Sequence, residues 1–419
     1  MEKLKAKKSL LVILFTIFVD MLGVGILIPV IPLLLADPRS RYYLLSGGMD
    51  VRGGFVILGF LTAVYPLMMF PSAPILGQLS DIYGRRRILA VSLAGTFVSY
   101  LVFAIGIITH NIPLLFFSRM VDGITGGNIA VAQAAVADIT KPEERAKAFG
   151  LIGAVFGFGF IIGPYLGGKL SDHTIVSWFS AATPFWFAAV LSFLNVLSVL
   201  LFFPETRARV EERFVIRWGQ SVHNIYRAFT TRGIHTLFIT SLLFQGGLSF
   251  LFTFFSVYLI RKFSFTQGNI GDYFAYIGLW VVITQAVVTR AISKRFPEAL
   301  VLRVTLLGCA IATFCFFLPS AWWGLLVVTP FFAINNGLTQ ANMVSLISRS
   351  ADSSIQGEMM GINASVQAIA QAVPPILSGL VASQISPEAP IIISSLIVGA
   401  SWLFFMTSFR REQTASRVQ

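Results

Sequence analysis

The stretch GQLSDIYGRRR, residues 77–87, sets one carboxylate and three arginines around two glycines. On either side, over residues 53–76 and 88–108, the chain is almost uniformly apolar. The contrast runs through the whole chain. Of 419 residues, 56% are hydrophobic and 12% are charged, and the mean hydropathy is +0.79. A soluble chain carries about 25% charged residues. A hydrocarbon core about 30 Å thick takes roughly 20 apolar residues per helical crossing. Twelve segments meet that length: 9–35, 53–79, 87–108, 112–138, 143–170, 181–203, 233–260, 268–292, 299–318, 322–348, 354–384 and 388–409. They are far too long for barrel strands, and in lipid a helix satisfies its own backbone hydrogen bonds. The expected fold is an all-α membrane protein of twelve transmembrane helices.

The start of the chain is read as retained rather than cleaved. Lys3, Lys5, Lys7 and Lys8 resemble a signal's basic end, but the apolar run that follows is too long and holds Pro29 and Pro32. The two cysteines, Cys309 and Cys315, both fall in the ninth segment, so neither a disulfide nor a metal site is expected. The net charge of +12 is not a nucleic-acid signal, because of where it lies. With the N-terminus inside, cytoplasmic segments hold 24 of the 31 Lys and Arg residues, external ones 6, and the membrane interior only Arg119. That bias places both termini in the cytoplasm and GQLSDIYGRRR in the turn between segments two and three. A multi-pass protein of the cell membrane is expected, with lipid rather than nucleic acid around it.

The longest cytoplasmic connection divides the chain into a six-helix half, residues 1–203, a linker, 204–232, and a second half, 233–419. An internal repeat supports the division. RAKAFG, residues 145–150, precedes QGEMMG, residues 356–361, by 211 positions; at the same offset Gly163-Pro164 meets Pro374-Pro375 and Gly168 meets Gly379. Capping-box patterns, Thr140 with Glu143 and Ser353 with Gln356, stand before both stretches. Two pseudo-symmetric halves are the plan of many secondary transporters.

In GQLSDIYGRRR, Asp81 and Arg85 are four apart and can pair on a helical turn. Gly77 is expected to admit a close neighbouring helix, and Gly84 a tight bend. By composition alone this is a basic turn that sets topology. Its spacing, however, resembles the G-x-L-x-D-x-x-G-R-R/K loop signature of the major facilitator superfamily. The resemblance implies a cytoplasmic latch between the halves, formed by Gly77, Asp81, Gly84, Arg85 and Arg86. The matching turn of the second half, TRAISKRF, residues 289–296, has Ser293 near the aspartate position, so one latch is intact.

In the fifth segment Gly159, Gly163 and Gly167 recur every four residues, leaving one helix face without side chains for close packing. Pro164 removes a hydrogen bond and bends the helix. With Gly150 and Gly168 these positions complete G-x8-G-x3-G-P-x2-G-G, which resembles the antiporter motif of the drug:proton antiporter branch of that superfamily. FVDMLGVGILIPVIP (18–32), LLFFSRMVDGITGG (114–127, with Arg119 and Gly123) and ADITKPEERAKAFG (137–150) are similar to its tetracycline-exporter-like members. The resemblance implies proton-coupled export by alternating access.

Charges inside membrane helices each cost roughly 3 kcal/mol at mid-bilayer and mark function by default. At about 1.5 Å per residue, Asp20 lies roughly 16 Å from the cytoplasmic boundary, and Arg119 and Asp122 roughly 11 and 15 Å from the external one. All three share a level. Arg119 and Asp122 are three apart and can neutralise each other, which leaves one carboxylate without a counter-charge. Such a group takes up and releases a proton as its surroundings change. Asp20 or Asp122 is therefore the expected proton carrier, with Arg119 tuning both.

The second half carries amides at that depth: Gln245, Asn335, Asn336, Gln367 and Gln371, with Gln285 nearer the cytoplasm. Amides orient a ligand but carry no protons. Here the chain departs from the tetracycline exporters, which have acids and histidine in this half, and the departure argues against tetracycline itself. Phe156, Phe160, Phe244, Phe252 and Tyr258 are the aromatic candidates for substrate contact. Trp178, Trp322, Trp323 and Tyr42 read as interfacial anchors, and the long external loop 37–54 as a lid. His110, His173, His223 and His235 are far apart and show no ligand spacing, so an enzyme or metal site is not expected. A monomeric antiporter without cofactor, exporting amphiphilic molecules, leads. A nutrient symporter or facilitator is the alternative, and an embedded enzyme or receptor is a remoter one.

Overall fold

The computed structural model describes residues 2–45, 50–140, 142–206, 219–230, 235–349 and 356–415. These form helices α1 (Glu2–Leu35), α2 (Val51–Tyr83), α3 (Arg85–Ile108), α4 (Ile112–Thr125), α5 (Asn128–Ile139), α6 (Pro142–Leu170) and α7 (Thr183–Phe202). There follow α8 (Gln220–Thr230), α9 (His235–Phe263), α10 (Gln267–Ile283), α11 (Thr289–Ser293), α12 (Glu298–Cys315), α13 (Trp323–Arg349), α14 (Gln356–Gln384) and α15 (Ala389–Ala415). Ten helical stretches among the described residues are long and apolar enough to cross a membrane. The two other expected crossings are present in altered form. The fourth is split into α4 and α5 at Gly126 and Gly127, where the helix has no side chains to hold it. The tenth is α13, whose middle carries Asn335, Asn336, Thr339, Gln340 and Asn342 and so falls short in apolarity.

The chain forms two units, residues 1–51, 64–220 and 265–278 in the first, and 52–63, 221–264 and 279–419 in the second. In the first, α1 packs on α6 and α7, and α3 on α4 and α7. In the second, α9 packs on α14 and α15, and α12 on α13 and α15. Each pairing of the first unit thus recurs in the second with the helices in corresponding order, and α6 and α14 are the helices that carry the sequence repeat.

Val12, Ile13 and Ile17 of α1 meet Leu89 and Leu93 of α3, Val131 and Val136 of α5, Ile152 of α6 and Val199 of α7 in one apolar core. A buried hydrogen bond, Thr16 Oγ1 to Asn195 Oδ1 at 2.9 Å, ties α1 to α7 within the same layer. In the second unit, Phe252, Phe255, Phe316 and Phe332 pack edge to face, and the Tyr258 hydroxyl donates to Phe316 O at 2.7 Å. Phe252 and Tyr258 therefore pack an aromatic core.

Two local expectations are corrected. The Thr140 hydroxyl donates back to Val136 O of α5 at 2.5 Å and so serves the helix it ends; the side chain of Glu143 and all of Ser353 lie outside the described residues. Among the described residues nothing lies within 4 Å of where a side chain at Gly77 would stand, so no close approach of another helix is seen there within the first unit. Of loop 37–54, residues 37–45 form turns, and Tyr42 donates to Phe179 O at 3.3 Å; residues 46–49 lie outside the described set.

Candidate functional site

The buried charges gather in the first unit around the break between α4 and α5. Arg119 Nη1 meets Asp122 Oδ2 at 2.6 Å, one turn apart on α4, and both side chains are 7% exposed. The guanidinium lies over the Tyr65 ring, 4.6 Å from its centroid, a cation–π contact that strengthens once water is excluded. Asp20, on α1, is 8% exposed, and its Oδ2 has no hydrogen-bond partner. Asn128, the first residue of α5, interacts with the Asp20 carboxyl, and both atoms of its amide are buried. Tyr65 and Tyr100 lie within electrostatic reach of both carboxylates.

Glycines make room for this cluster. A side chain at Gly23, one turn beyond Asp20, would strike the Tyr100 hydroxyl, and one at Gly126 would lie 2.7 Å from that of Tyr65. Gly123 abuts the Tyr65 backbone, and its carbonyl accepts from Ser72 at 3.0 Å. The geometry separates the two candidate carriers: Asp122 is ion-paired with Arg119, whereas Asp20 has no ion-pair partner among the described residues. Asn128, Tyr65 and Tyr100 were not singled out in the sequence. Their one signal was the Gly126-Gly127 pair, which breaks the helix just ahead of Asn128.

In the turn between α2 and α3, Arg85 is 5% exposed. It bonds Asp81 at 2.8 Å, Asp138 of α5 at 3.0 Å and the Ser80 hydroxyl. The i, i+4 pairing expected of Asp81 is present, and Asp138 is an unanticipated third member. Gly84 has φ +98°, a conformation that disfavours any side chain. Glu205, which follows α7, fills the space a side chain there would occupy and accepts from the Arg85 and Arg86 amides at 2.8 and 3.3 Å. A carboxylate at these free amides caps α3 and favours its dipole. Arg86 also donates to Leu200 O.

The glycine-proline segment divides its labour. Side-chain carbons at Gly159, Gly163 and Gly167 would lie 2.5–2.6 Å from Met21, Leu22 and Ile26 of α1. Gly168 instead meets Gly271 and Gln267 O of α10, while Gly150 faces open space. Pro164 packs at Gly25 of α1.

In the second unit, Gln245 and Gln340 exchange two amide hydrogen bonds, 2.9 and 3.2 Å. Asn335 is turned toward Gly308 of α12 and donates to Phe331 O at 2.8 Å. Asn336 keeps a buried, unpartnered Oδ1. Gln367 is half-buried, and Gln285 is exposed within a π-helical turn, Thr284–Val288, that separates α10 from α11. Such turns often mark functional sites. Phe244 is fully buried, and Phe156 packs on the apolar core of the first unit, so the structure places both as packing residues.

Membrane-length helices in a repeated packing, with opposed charges buried in one unit, define the class: a polytopic membrane transporter. The chain belongs to the Major Facilitator Superfamily, whose family model matches residues 13–375. It is 31% identical over 386 residues to the class H tetracycline resistance protein of Pasteurella multocida, covering 90% of this chain and 89% of that one. It is 27% identical over 385 residues to multidrug resistance protein 2 of Bacillus subtilis (strain 168), covering 90% of each. Among solved structures, a D-xylose-proton symporter superposes with a TM-score of 0.76 over 96% of this chain and 97% of that one, at 14% identity, a likeness of fold.

Proposed function

We propose that this protein is a proton-coupled exporter of amphiphilic small organic molecules, that it works by alternating access, and that Asp20 carries the proton. One observation carries the assignment. Of the two buried acids, Asp122 is bonded to Arg119, whereas Asp20 Oδ2 has no partner. An unpaired charge buried in a low dielectric is costly, so the group there exchanges its proton as its surroundings change. Arg119 and Asp122 hold the fixed charge beside it. Gln245, Asn335, Asn336, Gln367 and Gln285 are the substrate-orienting candidates, and Asn336 has an acceptor to offer. The glycine-proline motif supports export over import. The relatives are named for tetracycline and multidrug resistance, and the amides of the second half favour a range of amphiphiles over tetracycline alone. The turn at Asp81 serves as the cytoplasmic latch, in a monomer of two six-helix halves with both termini in the cytoplasm of a cell membrane. The test is substrate accumulation in proteoliposomes under an imposed pH gradient, with tetracycline among a panel of cationic and neutral amphiphiles. Accumulation that needs no gradient and moves no protons would overturn the reading.

A further inference from the structure

The stretch at the break between α4 and α5 recurs in the second unit. VDGITGGN, residues 121–128, matches NNGLTQAN, residues 335–342, at an offset of 214, so that Gly123, Thr125 and Asn128 meet Gly337, Thr339 and Asn342. The surroundings repeat as well. Thr125 Oγ1 lies 3.4 Å from Thr96 Oγ1 of α3, and Thr339 Oγ1 donates to Thr305 Oγ1 of α12 at 2.8 Å. The Gly123 carbonyl accepts from Ser72, and Gly337 packs on Thr284, which stands 212 positions after Ser72. The repeated halves of a transporter create such equivalent positions. These place Asn336 where the first unit has Asp122.

Two exchanges alter the chemistry there. The Asp122 carboxylate becomes an amide, and Arg119, its partner one turn earlier, becomes Ala333. The acceptor is kept and its donor is removed. In the middle of α13, Asn336 Oδ1 is buried without a hydrogen-bond partner. A polar atom left so within a membrane helix costs free energy and marks function. The residue itself is only part-buried, and an amide turns readily about its Cβ–Cγ bond, so a ligand can reach the oxygen. The group that suits it is the one the first unit sets beside Asp122, a nitrogen that carries hydrogen.

We propose that Asn336 selects the substrate, its Oδ1 accepting from an N–H of an amine, amidine or guanidine on the transported amphiphile as Asp122 accepts from Arg119. The inference rests on the proposed export and narrows it. A substrate with nitrogen-bound hydrogen is favoured, and a quaternary ammonium, which has charge but no donor, is disfavoured.

The test is equilibrium binding to the full chain in detergent, followed by naphthalene fluorescence. The probes are the naphthylmethyl-dimethylammonium ion and its quaternary, N-methylated analogue, both cations, of which only the first has an N–H. The first should bind at least about tenfold more tightly, the worth of one charge-assisted hydrogen bond. Asn336→Ala should bring the two to equal affinity without lowering the melting temperature. Asn336→Asp, which keeps an acceptor, should keep the preference. Equal binding of the two ions by the unsubstituted chain overturns the proposal, as does a preference that survives in Asn336→Ala. Accumulation of the first ion under an imposed pH gradient separates this selection from export itself. Accumulation without the preference overturns the role of Asn336 and leaves the exporter standing. The preference without accumulation supports Asn336 and overturns the exporter.

Discussion

Asp20 and Asp122 are the same residue type at one depth, and their partners make them different. Removing the Asp20 charge leaves no counter-charge behind, because none was bonded to it. Asp20→Asn is expected to abolish pH-driven accumulation and substrate-induced proton movement, with near-normal melting. Downhill exchange persists, because the amides of the second unit are intact. Asp122→Asn strands the Arg119 guanidinium, and breaking a buried pair from one side costs about 3–5 kcal/mol. Its melting temperature in detergent should fall together with transport, and Arg119→Ala should behave alike, stranding Asp122. Full pH-driven transport by Asp20→Asn, measured in proteoliposomes, would remove Asp20 from the carrier role. The charges themselves were legible in the sequence because they stand alone in apolar helices. Their partnership was not, since Asn128, Tyr65 and Tyr100 are ordinary polar residues until the chain folds them around Asp20.

At the scale of elements, spacing was readable wherever it was written in glycine. The four-residue period of Gly159, Gly163 and Gly167 announced a bare helix face, and that face lies against α1. A side chain at Gly163 would stand 2.6 Å from Leu22 O, which is backbone and cannot step aside. Gly163→Val should therefore lower stability by about 1–3 kcal/mol, whereas Gly150→Ala, in open space, should leave the melting temperature unchanged. Equal effects of the two would dissolve the seam. The break between α4 and α5 was hidden because hydropathy runs smoothly across Gly126-Gly127. In the turn before α3, spacing gave the Asp81–Arg85 pair, while Asp138 and Glu205 arrive from distant sequence. Because Asp138 still holds Arg85, Asp81→Asn strands no buried charge, and at a part-exposed turn it should cost at most about 1 kcal/mol. If the turn is a latch, this variant expresses and melts almost normally but transports poorly. Normal transport rates would reduce the motif to a topology signal.

At the scale of the molecule, the repeat at an offset of 211 residues was legible because glycine and proline sit where helices must touch, and those constraints recur in both units. The helix pairings recur with it, α1 on α6 as α9 on α14, and α3 on α7 as α12 on α15. Orientation in the membrane is a separate matter that packing does not decide, because a bundle packs identically either way up. The proposed orientation rests on charge: with twelve crossings and the N-terminus inside, 24 of 31 Lys and Arg residues would face the cytoplasm, where basic loops are retained. In that orientation Arg39 and Arg41 would face outward and Gly219 and Thr230 inward; all four are exposed on the protein surface. In a background of Cys309→Ser and Cys315→Ser, single cysteines at these positions separate the two orientations. Arg39→Cys and Arg41→Cys should react with a membrane-impermeant maleimide added to intact cells. Gly219→Cys and Thr230→Cys should react only after the membrane is opened. Labelling of the second pair from outside would invert the topology, placing the turn at Asp81 on the external face and removing the basis of its cytoplasmic latch.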